Sequence, residues 1–284
     1  MPTSKQRRET ARRRLERQLQ RRQELATRRR RRNLVAAAAF GVVLVLGAVW
    51  LLIAKVGGGD NKPAAAANSS AATTPPSPTP TPKRPPKSTT GPCKYAESNQ
   101  TLLNPNAKDV GLPPDPSPTP AKGTVPVTFT SDRGTIVITL DRATAPCAVQ
   151  SFLYLTGKKF FDRSPCPRVT GAKDGLFVLQ CGDPSGTTGG GPTYQYKAEP
   201  PKGAYVAGVV AMANSGQPNT TGSQFFIVYQ DSKSLPKQYS AVGTVTQGLN
   251  VVKKVAAAGN DGSNQAGGGK PKLPIAFLTV RAAQ

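Results

Sequence analysis

A short stretch of polar and aromatic residues, TGSQFFIVYQ at positions 221–230, gives the first indication of chemistry in this sequence. Its aromatic and β-branched residues favour a strand, in which successive side chains point to opposite faces. Gln224 and Phe226 therefore share one face, whereas Phe225 points to the other. We expect Gln224 and Phe226 at the rim of a groove, with Phe225 in the core. The alternative is an ordinary core strand in which Gln224 only caps a turn.

The absence of histidine narrows the possible chemistry. It excludes Ser-His and Cys-His nucleophile pairs, histidine general bases and histidine-containing metal sites. The four cysteines are widely spaced and contain no C-x-x-C pair, so we expect no structural zinc. We also expect no other metal and no organic cofactor. The cysteines are Cys93, Cys147, Cys166 and Cys181. An even number of cysteines suits two disulfides if the compartment is oxidising.

Residues 34–54 predict a membrane anchor. This run of 21 residues carries no charge and would span about 31 Å as a helix. Five arginines at positions 28–32 precede it and only Lys55 follows directly, so the positive-inside rule places the N-terminus in the cytoplasm. We predict a single-pass protein of the cell membrane with a signal-anchor and an extracytoplasmic head. A cleaved signal peptide is the alternative, although the segment is longer than usual for one.

The basic tail, residues 1–33, holds 14 Lys or Arg against three Glu, a local net charge of +11 out of +23 for the 284-residue chain. We interpret it as a topology signal with a solvated surface that also attracts anionic lipid. Nucleic acid is not an expected partner, because the tail has no aromatic residue for base stacking. A nucleic-acid tether is the weaker alternative.

The composition changes again after the apolar run. Residues 55–92 are rich in Pro, Ala, Ser and Thr and predict a disordered linker. Residues 93–122 remain proline-rich but begin with Cys93, which suggests an extended strap pinned to the next domain. The folded head is predicted to span residues 123–284.

The head contains many short apolar segments between turns. Alternating runs on both sides of Ser-Asp-Arg-Gly, within residues 125–140, predict a hairpin. Residues 145–157 predict a helix with Pro146 in its first turn and Gly157 as its stop. Further short strands, a helix in LNVVKKVAAAG and a last strand in IAFLTVRA follow. This pattern indicates a closed β-barrel capped at its ends.

Four motifs recur in the same order in a known family. CPRV, FVLQCGDP, MANSG and GSQFFIV resemble successive motifs of the cyclophilin-type peptidyl-prolyl cis/trans isomerases, and APCAVQSFLYLTG corresponds to the helix before them. The resemblance covers about residues 125–282. It implies a mainly β fold with a closed eight-stranded antiparallel barrel and two capping helices. It also implies an enzyme that accelerates rotation about X-Pro bonds and binds proline-containing segments of client proteins.

The resemblance assigns roles to matching residues. Arg168 corresponds to the catalytic arginine, and Gln180 and Phe226 complete the catalytic group. The substrate-binding residues it implies are Phe177, Val178, Ala213, Asn214, Gln224, Leu235 and Tyr239. Several positions depart from the family pattern, and two of them bear on ligand binding. Ser234 replaces a tryptophan that contacts cyclosporin in many members, and Tyr239 replaces a histidine.

Catalysis of this rotation needs no histidine. The planar amide resists rotation with a barrier of about 18–20 kcal/mol. In the twisted transition state the lone pair returns to nitrogen, so a donor aimed at it binds more strongly than in either ground state. A permanently charged guanidinium suits that task. We expect a monomeric isomerase for exported proteins; the alternative is a non-catalytic chaperone or scaffold module with the same groove.

The cysteines allow three disulfide connectivities, and the sequence does not choose among them. Cys166 and Cys181 would lie on neighbouring strands of one hairpin. Cys93 could attach the strap to the start of the helix at Cys147.

Overall fold

The computed structural model describes residues 81–201 and 203–283. The basic tail, the predicted membrane anchor and the linker up to residue 80 lie outside the described residues. Within the two described ranges, no helix combines the length and the apolar composition that crossing a bilayer requires.

The described residues form a mainly β structure with few helices. The helices are α1 (Asn99–Leu102), α2 (Pro146–Gly157) and α3 (Leu249–Ala257), with a 3-10 turn at Ala172–Asp174. The strands are β1 (Ala96–Glu97), β2 (Ala107–Lys108), β3 (Thr124–Ser131), β4 (Gly134–Asp141), β5 (Ser164–Pro165), β6 (Arg168–Val169), β7 (Val178–Cys181), β8 (Gly191–Pro192), β9 (Tyr194–Gln195), β10 (Val209–Met212), β11 (Phe225–Val228), β12 (Ala241–Gln247) and β13 (Ala276–Ala282).

Nine of these strands make one curled antiparallel sheet in the order β5-β13-β3-β4-β12-β10-β11-β7-β6. The predicted hairpin is confirmed as β3 and β4, which meet at the Ser131–Gly134 pair. The strand count differs from the predicted eight because β5 and β6 are separate: Cys166 and Pro167 interrupt the segment that contains both. β5 pairs with β13, whereas β6 pairs with β7 at the opposite edge.

The inner face of the sheet encloses an aromatic core. Phe129, Phe152 and Phe225 are fully buried, and the Phe225 and Phe277 rings stack with centroids 6.3 Å apart. Helix α2 contributes Phe152. Because β11 alternates, Phe226 leaves this core and joins a second apolar cluster with Val178, Tyr205, Ala211 and Val228.

Helix α2 begins at Pro146, and its first N–H groups are capped from a distant loop. The preceding Ala145 makes no side-chain cap. Instead, the Glu199 carboxylate accepts hydrogen bonds from the backbone N–H groups of Cys147 (3.2 Å) and Ala148 (2.9 Å). Burial raises the pKa of Glu199, and the two backbone donors oppose that rise.

The strap is paired with the head along two short ladders. β1 pairs antiparallel with β9, and β2 pairs parallel with β8. The Glu97 side chain is 1% exposed and forms an ion pair with Arg84, which lowers the pKa of this carboxyl. Asp115 accepts hydrogen bonds from the Cys93 and Lys94 backbone N–H groups. Arg84 lies within residues 55–92, the segment predicted as a disordered linker. Its ion pair with Glu97 shows that the end of this segment already makes specific contacts with the strap.

Of the three possible connectivities, the structure has the one that links Cys93 to Cys147 and Cys166 to Cys181. Cys93 is bonded to Cys147, across a separation of 54 residues, and Cys166 to Cys181, across 15. The first bond attaches the strap to the start of α2. The second joins the interrupted segment before β6 to the end of β7.

Removing the strap disulfide tests its contribution to stability. In the chain-entropy model, closing a loop of this length raises the free energy of the unfolded chain by about 4 kcal/mol, against about 3 kcal/mol for a 15-residue loop. We expect the C93S/C147S variant of the full chain to lose about 4 kcal/mol in urea denaturation, and the matched C166S/C181S variant to lose less. A loss near zero for C93S/C147S would contradict the strap's role as a covalently held part of the head.

Candidate active site

A groove of about 430 Å³ lies over the second apolar cluster. Val178, Gln180 and Phe226 reach it from neighbouring strands β7 and β11, which pair with Phe226 opposite Gln180. Eight of the ten predicted catalytic and substrate-binding residues line it: Arg168, Val178, Gln180, Ala213, Asn214, Phe226, Leu235 and Tyr239. The structure therefore brings together residues that lie up to 71 positions apart (168 to 239) in the sequence.

Arg168 lies on β6 at the edge of this groove, directly opposite Gln180 in the ladder. Its Nε–H donates to the Gly267 carbonyl (2.8 Å), one NH2 group to the Ala266 carbonyl (2.9 Å) and the other to Gln180 Oε1 (2.9 Å). A guanidinium has five N–H groups, so these bonds leave two for a ligand. Burial lowers the pKa of Arg168, and the negative charge of Asp174 opposes this change; a guanidinium stays charged at neutral pH.

Gln180, which accepts a hydrogen bond from Arg168, is itself held by a second glutamine. Gln180 Nε2 donates to Gln224 Oε1 at 2.7 Å. Gln224 Nε2 in turn donates to the carbonyls of Thr188 (2.9 Å) and Gly190 (2.8 Å). Gln224 thus lies behind the groove and lines an adjoining pocket of about 250 Å³. Each side-chain amide in this relay has one possible orientation, because its oxygen and its nitrogen have different partners.

Aromatic rings form the floor of the groove. Phe226 is 5% exposed, and its ring meets the Tyr239 ring edge to face, with centroids 5.3 Å apart. The Tyr205 hydroxyl donates to the Tyr239 carbonyl (2.8 Å) and accepts from the Tyr239 N–H (3.0 Å). Burial raises the pKa of Tyr205, so this hydroxyl keeps its proton at neutral pH. The Tyr205 hydroxyl therefore holds the backbone of Tyr239, which keeps the Tyr239 ring beside the groove.

The groove edge opposite Arg168 is formed by Ala213 and Asn214. The Ala213 N–H donates to the Gln224 carbonyl at 2.8 Å. The Asn214 side chain makes two hydrogen bonds within the protein: Nδ2 donates to the Gln238 carbonyl (3.0 Å) and Oδ1 accepts from the Gly216 N–H (2.9 Å). These bonds hold Asn214 in place beside the groove.

The sequence of this chain is similar to those of known proteins. Residues 126–279 match the family described as cyclophilin type peptidyl-prolyl cis-trans isomerase/CLD. The chain belongs to the cyclophilins. It is 37% identical over 218 residues to the probable peptidyl-prolyl cis-trans isomerase B of Mycobacterium tuberculosis, covering 72% of this chain and 67% of that protein. The corresponding Mycobacterium leprae protein is also 37% identical, over 204 residues, covering 67% of this chain and 65% of that protein.

A solved structure shares the fold. A cyclophilin type peptidyl-prolyl cis-trans isomerase of Cryptosporidium parvum has a TM-score of 0.51 and 25% identity, and the match covers 57% of this chain and 99% of that one. The chain is thus a peptidyl-prolyl cis-trans isomerase that binds proline-containing peptides. The alternative of a non-catalytic binding module is not favoured.

Two residues carried over from the cyclophilin pattern lie outside the groove: Gln224, expected at the rim, lines the adjoining pocket, and Phe177 borders another depression. Phe177 does not line the groove; its ring meets the Tyr229 ring edge to face at 5.9 Å, and both residues border a separate depression. Val178 and Gln180 face the groove, so the alternation along the chain turns Phe177 away. Leu176 lines the groove instead, together with Asp174, Ser234, Pro236 and Ala266. Of these, the sequence drew attention only to Ser234, as the replacement of a tryptophan.

The different positions of the two phenylalanines can be tested directly. We expect Phe226→Ala to lower kcat/KM on a short Ala-Pro peptide by about 10- to 100-fold, because the apolar wall is lost. Phe177→Ala should leave kcat/KM close to that of the wild type, since its ring packs on Tyr229. A protease-coupled assay measures both, with thermal melting as a check that each variant folds. Equal losses in the two variants would show that Phe177 also contacts the substrate.

Proposed function

We propose that Arg168 is the catalytic donor of this isomerase and that it acts on the nitrogen of the X-Pro bond. As the bond twists, the nitrogen lone pair is no longer shared with the carbonyl and becomes a better acceptor. A donor at that position binds the twisted state more tightly than either planar state, which is the condition for acceleration. The two N–H groups that Arg168 keeps available are suited to this contact.

The aromatic floor would hold the proline ring while the rest of the peptide rotates. Phe226, Val178, Leu235 and Tyr239 offer an apolar surface for the pyrrolidine ring. The backbone edge at Ala213 and Asn214 would fix the flanking peptide chain. No proton is transferred and no covalent bond to the protein forms, so the absence of histidine costs nothing in this mechanism.

The fixed orientation of the guanidinium is the observation that carries this proposal. Three N–H groups of Arg168 are bonded to Gly267, Ala266 and Gln180, so the remaining ones are preorganised. Preorganised donors need no reorganisation when the transition state forms, and losing one such donor typically costs about 100- to 1,000-fold in kcat.

Substitution of Arg168 tests the role. We expect Arg168→Ala to lower kcat by at least about 100-fold, while peptide affinity measured by calorimetry changes far less. Arg168→Lys keeps the charge but loses the planar fork that meets three acceptors, so it should recover only part of the activity. An unchanged kcat in Arg168→Ala, or a defect confined to KM, would overturn the assignment.

We also propose that the enzyme works outside the cytoplasm as a membrane-tethered monomer, on exported clients. The apolar run at residues 34–54, preceded by the arginines at 28–32, supports a signal-anchor with a cytoplasmic N-terminus. The two disulfides suit an oxidising compartment. The basic tail would add attraction to anionic lipid at the cytoplasmic surface.

We also propose that the curled sheet is a closed eight-stranded barrel. Its two end strands, β5 and β6, then count as one interrupted strand. They are two ends of one segment, separated by Cys166 and Pro167, and they pair with β13 and β7 respectively. In this view the interruption lies beside Arg168, where the backbone must turn its side chain towards the groove.

The proposed topology predicts the accessibility of each end. In intact cells that have one cytoplasmic membrane, added protease should remove an epitope on the C-terminus and spare one on the N-terminus. A variant that lacks residues 34–54 should leave the membrane fraction. A protected head in wild-type cells, or a mature N-terminus after residue 54, would contradict the anchored arrangement.

A further inference from the structure

We propose that Asp174 is a positioning residue for Arg168, and that it acts through the loop at residues 266–268. This inference rests on the proposed catalytic role of Arg168. Asp174 ends the 3-10 turn that lies between β6 and β7. It also lines the groove, although no motif in the sequence marks it.

The loop supplies two of the three bonds that orient the guanidinium. The Gly267 and Ala266 carbonyls accept from Arg168 Nε and from one of its NH2 groups. These acceptors are 98 and 99 residues away from Arg168 along the chain (168 to 266 and 267). The direction of the guanidinium therefore depends on how firmly this loop is held.

Asp174 fixes the loop from the side of the groove. Its Oδ1 accepts the Gly268 N–H at 2.8 Å, directly after the carbonyl of Gly267. Its Oδ2 accepts the Gly171 N–H at 2.9 Å, which fixes the 3-10 turn itself. Each oxygen of this carboxylate thus binds a different backbone segment, and Asp174 joins the two.

The backbone of the loop can adopt this path only because it is glycine. Gly267 and Gly268 have φ angles of +94° and +69°, which side chains rarely tolerate. A Cβ on Gly267 would lie 2.8 Å from Asp174 Oδ1. The close approach of Asp174 therefore depends on glycine at position 267.

The charge of Asp174 acts in the same direction as its hydrogen bonds. Burial disfavours the charged form of Arg168, and the Asp174 carboxylate opposes that effect. Asp174 thus favours a charged guanidinium and holds the carbonyls that aim it. It needs no contact with the substrate to do either.

The test uses the full chain and separates positioning from binding. We expect Asp174→Ala to lower kcat about tenfold and to leave KM nearly unchanged, because small misplacements of a catalytic group lower the rate steeply. Asp174→Asn keeps one acceptor oxygen but loses the charge, so its kcat should lie between those of Asp174→Ala and the wild type. Asp231→Ala is the matched control: Asp231 also accepts a backbone N–H, from Ala207 at 3.0 Å, but borders a different depression.

A double-mutant cycle with Arg168→Lys shows whether Asp174 affects kcat through Arg168. If Asp174 acts through Arg168, Asp174→Ala should change kcat much less in the Arg168→Lys background than in the wild type. The Arg168 Nε–H resonance in NMR should also broaden in Asp174→Ala and persist in Asp231→Ala.

Each contrary outcome is distinct. A normal kcat in Asp174→Ala beside an impaired Arg168→Lys overturns this inference and leaves the proposed function intact. A rise in KM at constant kcat makes Asp174 a substrate contact instead. An equal loss of kcat in both backgrounds shows that Asp174 does not act through Arg168. A normal kcat in Arg168→Ala refutes the proposed function itself.

Discussion

The site depends on a half-buried guanidinium that has three of its five N–H groups hydrogen-bonded within the protein before substrate arrives. Taking part of Arg168 out of water disfavours its charge, and such a group is tolerated only where its donors have partners. Gly267, Ala266 and Gln180 provide them. The partners that make the buried charge tolerable are therefore the same ones that aim it.

The strap contributes placement as well as stability. Several contacts converge on the start of α2: Cys147 is bonded to Cys93, its carbonyl accepts from the Tyr95 hydroxyl at 2.7 Å, and its N–H donates to Glu199. A buried ion pair such as that of Glu97 is weak evidence for stability by itself, because desolvation offsets much of the attraction. Together with the disulfide it specifies where the strap lies, and strap residues Thr101 and Asn104 border the pocket behind Gln224.

The sequence was informative wherever a local pattern decides the structure. Alternation predicted the β3–β4 hairpin and separated Phe225 from Phe226, and Pro146 marked the start of α2. Family resemblance placed Phe177 in the groove, but the alternation along Phe177, Val178 and Gln180 turned it away.

Other features left no local signal. The Ala266 and Gly267 carbonyls orient Arg168, but every residue has a carbonyl, so no residue type marks that role. Glu199 caps a helix that begins 53 positions earlier, at Pro146, and only the tertiary fold brings the two together.

Rotation about an X-Pro bond transfers no proton, so this enzyme can obtain its rate from the placement of its hydrogen-bond donors. The path from Arg168 through Gln180 and Gln224 ends on the backbone carbonyls of Thr188 and Gly190, and its members change no protonation state during rotation of an imide. A relay of neutral amides around one permanent charge has a single set of donors and acceptors, which a titrating group would not have. The disulfide between Cys166 and Cys181 joins the segments that carry Arg168 and Gln180. Rigidity of the backbone therefore takes the place that a tuned pKa has in acid–base enzymes.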